Sequence, residues 1–268
     1  MPELLKTTEL DGMAILWQAY DAGIHYQVRS AGRTRRLYAN GICHTEWHPE
    51  RALTRSIWDL LMLPALLMPA GTIRRVLVLG VGGGSVIHLL RQHIQPEYID
   101  GVELSRMHLK LARQFFGLRE SKQLRLYAAD AGQWLSEYRG SKFDLIIDDL
   151  FLEESSEAVR AIDADTGWFR LLLKNLQPEG ILSINFADYN DVKQSGWATD
   201  KRMAGNFPAA FGLRTPYLDN VVGAFCRVPV QAGALRQRIS GIPALAKAAG
   251  NKQLRYRLSR LTPASQGA

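Results

Sequence analysis

Apolar positions along the chain fall into two regimes. Between residues 13 and 47, strand formers come in short runs (13–20, 24–30 and 35–38), broken at Asp21-Ala22-Gly23, Ala31-Gly32 and Asn40-Gly41. The alternation in Ile24-His25-Tyr26-Gln27-Val28 is that of an antiparallel strand with one wet face. Pro49 then predicts a helix over 50–63, ended or kinked by Pro64. From residue 75 the pattern changes to continuous apolar runs alternating with amphipathic stretches. It predicts strands at 75–79, 98–102, 124–128 and 143–147, with helices at 84–93, 105–116 and 131–138 between them. A helix at 168–175, a turn at Pro178-Glu179-Gly180, a strand at 181–186 and a further apolar strand at 220–228 follow. Strands buried on both faces and separated by helices form a mainly parallel sheet covered on both sides, an α/β Rossmann-like fold.

The strand ends carry the candidate chemistry. The run Val76–Ser85 stops in four glycines within five positions: Gly80, Gly82, Gly83 and Gly84. Such glycines let the backbone turn sharply and bring its amides close to a ligand. Ser85 stands where the dinucleotide fingerprint places its third glycine, which disfavours a pyrophosphate and hence a nicotinamide-dependent reductase. Glu103 closes the next strand 23 residues after Gly80, followed by Leu104. An acid there accepts from ribose hydroxyls, its alternative role being to cap the helix near Ser105. Asp130-Ala131 follows the third strand, either as an adenine site or as a helix cap, with Trp134 and Leu135 as candidate flanks for the base. Asp148-Asp149 closes the fourth. Adjacent strand residues point to opposite faces, so one of this pair meets the ligand, and Asp149 is the candidate for the reacting group. A purely structural role is its alternative. Leu150-Phe151-Leu152 would desolvate the centre.

Composition narrows the classes. A chain of 268 residues, 47% hydrophobic and 22% charged, is ordinary for a globular protein. No apolar run is long enough to span a bilayer, and MPELLKTTELDG has no secretory pattern, so the expectation is a cytoplasmic protein with no membrane partner. Cys43 and Cys226 suggest reduced thiols, and the histidines, His44 and His48 included, show no metal-ligand spacing. The net charge of +7 is uneven: residues 229–268 hold seven basic side chains and no acid, leaving 26 basic residues against 26 acidic ones elsewhere. The expected organisation is a small β domain at 1–48, a nucleoside-binding domain at 49–228 and a basic tail at 229–268, partly helical or disordered. Nucleic acid is a conceivable but disfavoured partner for that tail.

In this order the motifs resemble the spermidine synthase-like branch of the S-adenosylmethionine-fold transferases, over roughly residues 37–228. The resemblance includes the link Gly41–Glu46, the glycine loop, Val102-Glu103, Asp130-Ala131, residues 143–149, Gln177–Leu182 and Asn220-Val221-Val222. It implies an adenosyl sulfonium ligand, with Glu103 on the ribose and Asp130 at the adenine, and it suggests homodimers. Polyamine-forming members carry GGGDGG, whereas Gly83 takes the aspartate position here. Their D-S-S/T-D-P becomes Asp149-Leu150-Phe151-Leu152-Glu153, which matches the first acid and replaces the second by Leu152. Cys43 stands for their glutamine, and their amine-binding tyrosine falls near Ala52 or Leu53.

Each ammonium of a polyamine needs polar partners when it leaves water, and this chain has lost several. A loop aspartate would also repel the carboxylate of intact S-adenosylmethionine, and Gly83 removes that objection. The expectation is therefore methyl transfer from S-adenosylmethionine to a small-molecule acceptor, an amine being one candidate. Aminopropyl transfer from decarboxylated S-adenosylmethionine is the first alternative, and a non-catalytic nucleoside-binding module with a basic docking tail is the second.

Overall fold

In a computed structural model, residues 12–152 and 159–263 are described. The N-terminal sequence read for a secretory pattern falls almost wholly outside them, as does Glu153. Four antiparallel strands, β1 (Ala14–Asp21), β2 (Ile24–Ala31), β3 (Thr34–Ala39) and β4 (Ile42–Trp47), form a sequential meander. Two of its hairpins turn where the sequence breaks: Ala22-Gly23 and Asn40-Gly41 both have positive φ, as tight two-residue hairpins require. The inner face (Tyr26, Val28, Leu37 and Ala39) packs on Leu111 and Phe116 of the larger unit.

The second sheet has eight strands in the order β12-β10-β11-β9-β8-β5-β6-β7. β5 (Arg75–Leu79), β6 (Tyr98–Glu103), β7 (Leu124–Ala128), β8 (Phe143–Asp148) and β9 (Leu176–Phe186) pair in parallel. β10 (Ala209–Arg214), β11 (Val221–Cys226) and β12 (Arg257–Arg260) extend one edge by antiparallel pairing. Val76, Leu77, Val78, Leu79, Leu145 and Ile147 are fully enclosed, because helices cover both faces. The arrangement is that of a class I methyltransferase fold with a small antiparallel β unit before it.

Helices α1 (Ile57–Met62), α2 (Ser85–His93), α3 (Arg106–Phe115), α4 (Ala131–Glu137) and α5 (Thr166–Asn175) connect the strands. Short helices α6 (Tyr189–Gln194), α7 (Gly196–Thr199) and α8 (Lys201–Ala204) lead into β10. Three expectations change. The helix predicted over 50–63 begins only at Ile57, because the Asp59 carboxylate accepts from the backbone N–H groups of Thr54 and Arg55 at 2.8 and 2.7 Å and holds them outside helical geometry. Pro64 then sits in the first turn of a 3-10 segment, Leu63–Leu67, where its missing N–H costs nothing. The predicted turn at Pro178-Glu179-Gly180 lies inside β9, where the pairing with β8 shifts register, so the proline occupies an irregularity rather than a chain reversal.

The third change concerns the expected basic tail. Residues 233–260 fold into α9 (Gly233–Gly241), α10 (Pro243–Gly250) and β12. Leu235, Ile239, Leu245, Leu254 and Leu261 are buried in the core, so this segment completes the sheet, with Arg236, Lys247, Lys252, Arg255, Arg257 and Arg260 exposed and Arg238 half-buried. Among the described residues no helix is long and apolar enough to cross a membrane.

Candidate functional site

Strand order reverses between β5 and β8, and a doubly wound sheet opens its ligand crevice at the carboxyl ends of the strands flanking such a point. The glycine loop and Asp149 meet there. Asp149 N–H donates to the Leu79 carbonyl at 2.9 Å, and a Cβ on Gly80 would overlap the Asp149 carbonyl oxygen. Gly80, Gly82 and Gly84 have φ of 82°, 54° and 96°, conformations that L side chains rarely adopt.

The loop is also fastened to β4. Gly83 N–H donates to Thr45 Oγ1 at 2.5 Å, and Ser85 Oγ donates to the Glu46 carbonyl at 2.8 Å. A Cβ on Gly83 would stand 2.7 Å from Thr45 Cγ2. Ser85, read from sequence as a poor third glycine, thus acts as the clasp between the two sheets. The Cys43 thiol, where the resemblance places a glutamine, donates to the Thr45 carbonyl at 3.4 Å.

Glu103 reaches the crevice but spends most of its acceptor capacity on the protein. Its Oε2 accepts from the Val81 and Gly82 N–H groups at 2.9 and 2.8 Å, and its Oε1 accepts from Ser105 N–H at 2.9 Å. The acid thus braces the turn into α3, whose N-cap is Ser105, and organises the glycine loop. Its residue is 7% exposed. Burial alone would raise its carboxyl pKa, but attraction from His108, 3.7 Å away, and the Ser105 and Gly82 amides hold it at about 2. His44 completes the cluster, its ring centroid 5.1 Å from that of His108. Burial, then repulsion from His108, pushes the His44 imidazole down to about 4, so it is neutral at pH 7. Its Nε2 is buried with no hydrogen-bond partner among the described residues. Leu104, 72% exposed, stands on the rim beside this cluster.

Asp130 is exposed and accepts from Gln133 N–H at 2.8 Å through Oδ1, so the cap reading holds. Ala131 is buried behind it. Leu135 is fully enclosed and belongs to the core rather than flanking a base, while Trp134 is half-buried and stacks on Tyr138 at 4.7 Å.

The two acids after β8 separate as strand alternation requires. Asp148 is 0% exposed, and its Oδ2 accepts from Arg160 Nη2 at 2.7 Å and Trp168 Nε1 at 2.8 Å. It faces inward and cannot meet a substrate, which corrects its inclusion among the candidate catalytic residues. Asp149 faces the crevice side, where Asn185 Nδ2 donates to its Oδ1 at 2.8 Å and Asn220 Nδ2 in turn donates to Asn185 Oδ1 at 3.1 Å. Burial, and secondarily Asp148, raise its carboxyl to about 6 against the lowering effect of Asn185, Arg160 and the Trp58 indole. Sequence reasoning missed Thr45, Trp58, His108, Arg160 and Asn185. Only Asn185 left a signal, as a polar side chain near the end of an apolar strand.

Two cavities flank the sheet. One of about 70 Å³ lies at the amino ends of β5 and β6, opposite the crevice. The other, about 280 Å³, lies at the carboxyl-end rim between the start of α1, the β10–β11 turn and the residues after α10. Among the described residues no group of three or more His, Cys, Asp or Glu side chains could hold a metal ion. Cys43 and Cys226 are both free thiols.

Comparison with known proteins adds four likenesses. The profile of the spermine/spermidine synthase domain matches residues 59–216. Over 94 residues the chain is 32% identical to the eEF1A lysine and N-terminal methyltransferase of Mus musculus, a stretch covering 34% of this chain and only 13% of that protein. The fold superposes on a probable spermidine synthase from Corynebacterium glutamicum with a TM-score of 0.68, at 14% identity, covering 94% of this chain and 91% of that one. It also superposes on human methyltransferase-like protein 13 in complex with SAH, with a TM-score of 0.59 at 20% identity, covering 71% and 90%.

Proposed function

The chain belongs to the spermine/spermidine synthase domain family, and from that footing we propose that it transfers a methyl group from S-adenosylmethionine to a small acceptor. Gly80–Gly84, Glu103 and Asp130 would hold the donor, and Leu104 would cover it. The fit is good at three points. The loop glycines hold the positive φ that the sharp turn needs, Asp130 is exposed at its strand end, and Leu104 offers apolar surface at the rim. Glu103 fits less freely: a ribose hydroxyl must share a carboxylate already bonded to three amides.

The observation that carries this reading is the packing of Gly83 against Thr45. In polyamine-forming relatives the sequence pattern places a carboxylate at this position, and here a side chain would collide with β4. An intact donor, whose own tail carries a carboxylate, meets no repelling acid there. The donor would supply an electrophilic methyl carbon to the acceptor's lone pair, the carbon–sulfur bonding pair passing to sulfur. Asp149, ionised above about pH 6, would take the proton the acceptor releases, with Asn185 holding its orientation.

Aminopropyl transfer is the second reading, favoured by the family itself and by Asp149, which stands where the polyamine pattern has its first acid. Titrating the pure protein with S-adenosylmethionine, its decarboxylated form, methylthioadenosine and NAD decides between them. Tighter binding of the decarboxylated donor, with spermidine formed from putrescine, would replace the methyl reading.

A further inference from the structure

The rim cavity of about 280 Å³ is lined by Arg55, Ser56, Asp59, Leu60, Thr215, Tyr217, Lys252, Gln253, Leu254 and Arg255, of which three are cationic and one is acidic. Buried Asp59, Leu60 and Leu254 belong to its interior, while Arg55, Lys252 and Arg255 are exposed around it. It shares the carboxyl-end rim of the sheet with Asp149, and chain neighbours of its lining residues reach that acid. Trp58, one residue before Asp59, bonds to Asp149, and Asn220, at the end of the β10–β11 turn, reaches Asp149 through Asn185.

Three features set this cavity apart from a solvated basic surface. Arg55 and Lys252 have φ of 63° and 56°, a left-handed conformation that costs long side chains and needs surrounding structure to hold it. For Arg55 that structure is Asp59, whose carboxylate takes the Arg55 N–H and both the N–H and hydroxyl of Thr54. Arg255 is aimed by its neighbours: Nη1 donates to Tyr217 Oη at 2.5 Å and Nε donates to the Lys252 carbonyl at 3.0 Å. Close by, Arg214 and Arg257 are direct cross-strand partners, a like-charge pairing that an anion between them would relieve. This part of the rim is thus rich in positive charge, the reverse of what a polyamine needs.

We infer that the acceptor carries an anionic group, phosphate or carboxylate, and that this cavity receives it, with Arg55, Lys252 and Arg255 as its partners. Guanidinium and ammonium groups fixed around a partly apolar pocket recognise such oxyanions by charge-assisted hydrogen bonds. The nucleophilic atom of the acceptor then lies toward Asp149. This inference rests on the transferase reading above.

Calorimetry on the full chain at constant ionic strength tests it, with inorganic pyrophosphate, succinate and putrescine as probes and S-adenosylmethionine titrated separately into the same preparation. Saturable binding of pyrophosphate or succinate, and none of putrescine, is the expected result; which anion binds distinguishes phosphate from carboxylate. Asparagine tolerates positive φ, so Arg55→Asn combined with Lys252→Asn removes charge without adding strain, and anion affinity should fall at least about tenfold. Affinity for S-adenosylmethionine should stay within twofold of the parent, by roughly the independence of separated sites. Should the double variant fail to fold, Arg255→Gln reads the same loss. The inference is overturned if neither anion binds, if the variants bind it unchanged, or if putrescine binds instead. It is also overturned if a single-stranded RNA binds more tightly than pyrophosphate with a steeper salt dependence, which would make this a nucleic-acid surface. Loss of the donor reading shows separately, as failure to bind S-adenosylmethionine while the anion still binds.

Discussion

Replacing Arg160 by methionine should destabilise the protein severely, and the reason lies in Asp148. The Arg160 side chain is 5% exposed and that of Asp148 0%, so neither can recover hydration if the other is lost. Arg160 makes three kinds of contact: Nη2 to Asp148, Nη1 to the Asn185 carbonyl at 2.5 Å, and Nε to the Ile162 carbonyl at 3.1 Å. Methionine fills much of the volume but makes none of them. Breaking one side of a buried pair costs about 3–5 kcal/mol, since it strands an uncompensated charge. In a chain of this size that is on the order of 10 °C in Tm. Thermal unfolding followed by circular dichroism measures it. Asp148→Asn added to Arg160→Met should restore a substantial part of the loss, because the stranded charge is then gone while Trp168 Nε1 keeps a carbonyl to donate to. If Arg160→Met leaves Tm unchanged while abolishing turnover, or if the double variant is worse than the sum of the single ones, Asp148 is not the structural acid argued here.

Asp149→Asn should cut transfer by about 10²–10⁴-fold with donor affinity preserved, read from turnover alongside calorimetry. With its carboxyl raised to about 6, the parent rate should climb as pH rises through 6 and level off above it, because the base form accumulates on the high-pH side. Glu103 runs the opposite way. Its folded carboxyl lies near 2 against an ordinary 4.5, so its contribution to stability is full above about 4.5 and drains away as pH falls toward 2. Urea midpoints between pH 5 and 3 should fall more steeply for the parent than for Glu103→Gln. Removing residues 229–268 should prevent folding, since five buried leucine or isoleucine side chains at about 1.5–3 kcal/mol each amount to the whole stability of a typical domain; soluble expression of a folded remainder would refute this.

Much of the architecture was legible without coordinates. Continuous β-branched and leucine runs separated by amphipathic stretches can only bury themselves as parallel strands between helices, and β5 to β8 stand within a residue of the expected bounds. The glycines, Glu103, Asp130 and Asp149 could be named because each closes a strand, and strand ends in such a sheet share one rim. Alternation also announced that only one acid of the 148–149 pair could face outward. Which one, and what the other did, depended on Arg160 and Trp168, which lie 12 and 20 residues further along the chain.

What tertiary structure alone decided is wherever a long-range partner outbid a local preference. Asp59 took the amides that would have begun α1 at residue 50, and β10 took the end of a basic segment that by composition read as a tail. Thr45 closed the space beside Gly83, and three separated segments came together around the cationic cavity. Periodicity reports which face of an element is buried, but it carries no record of what lies on the other side. That partner is chosen by packing between segments far apart in the chain.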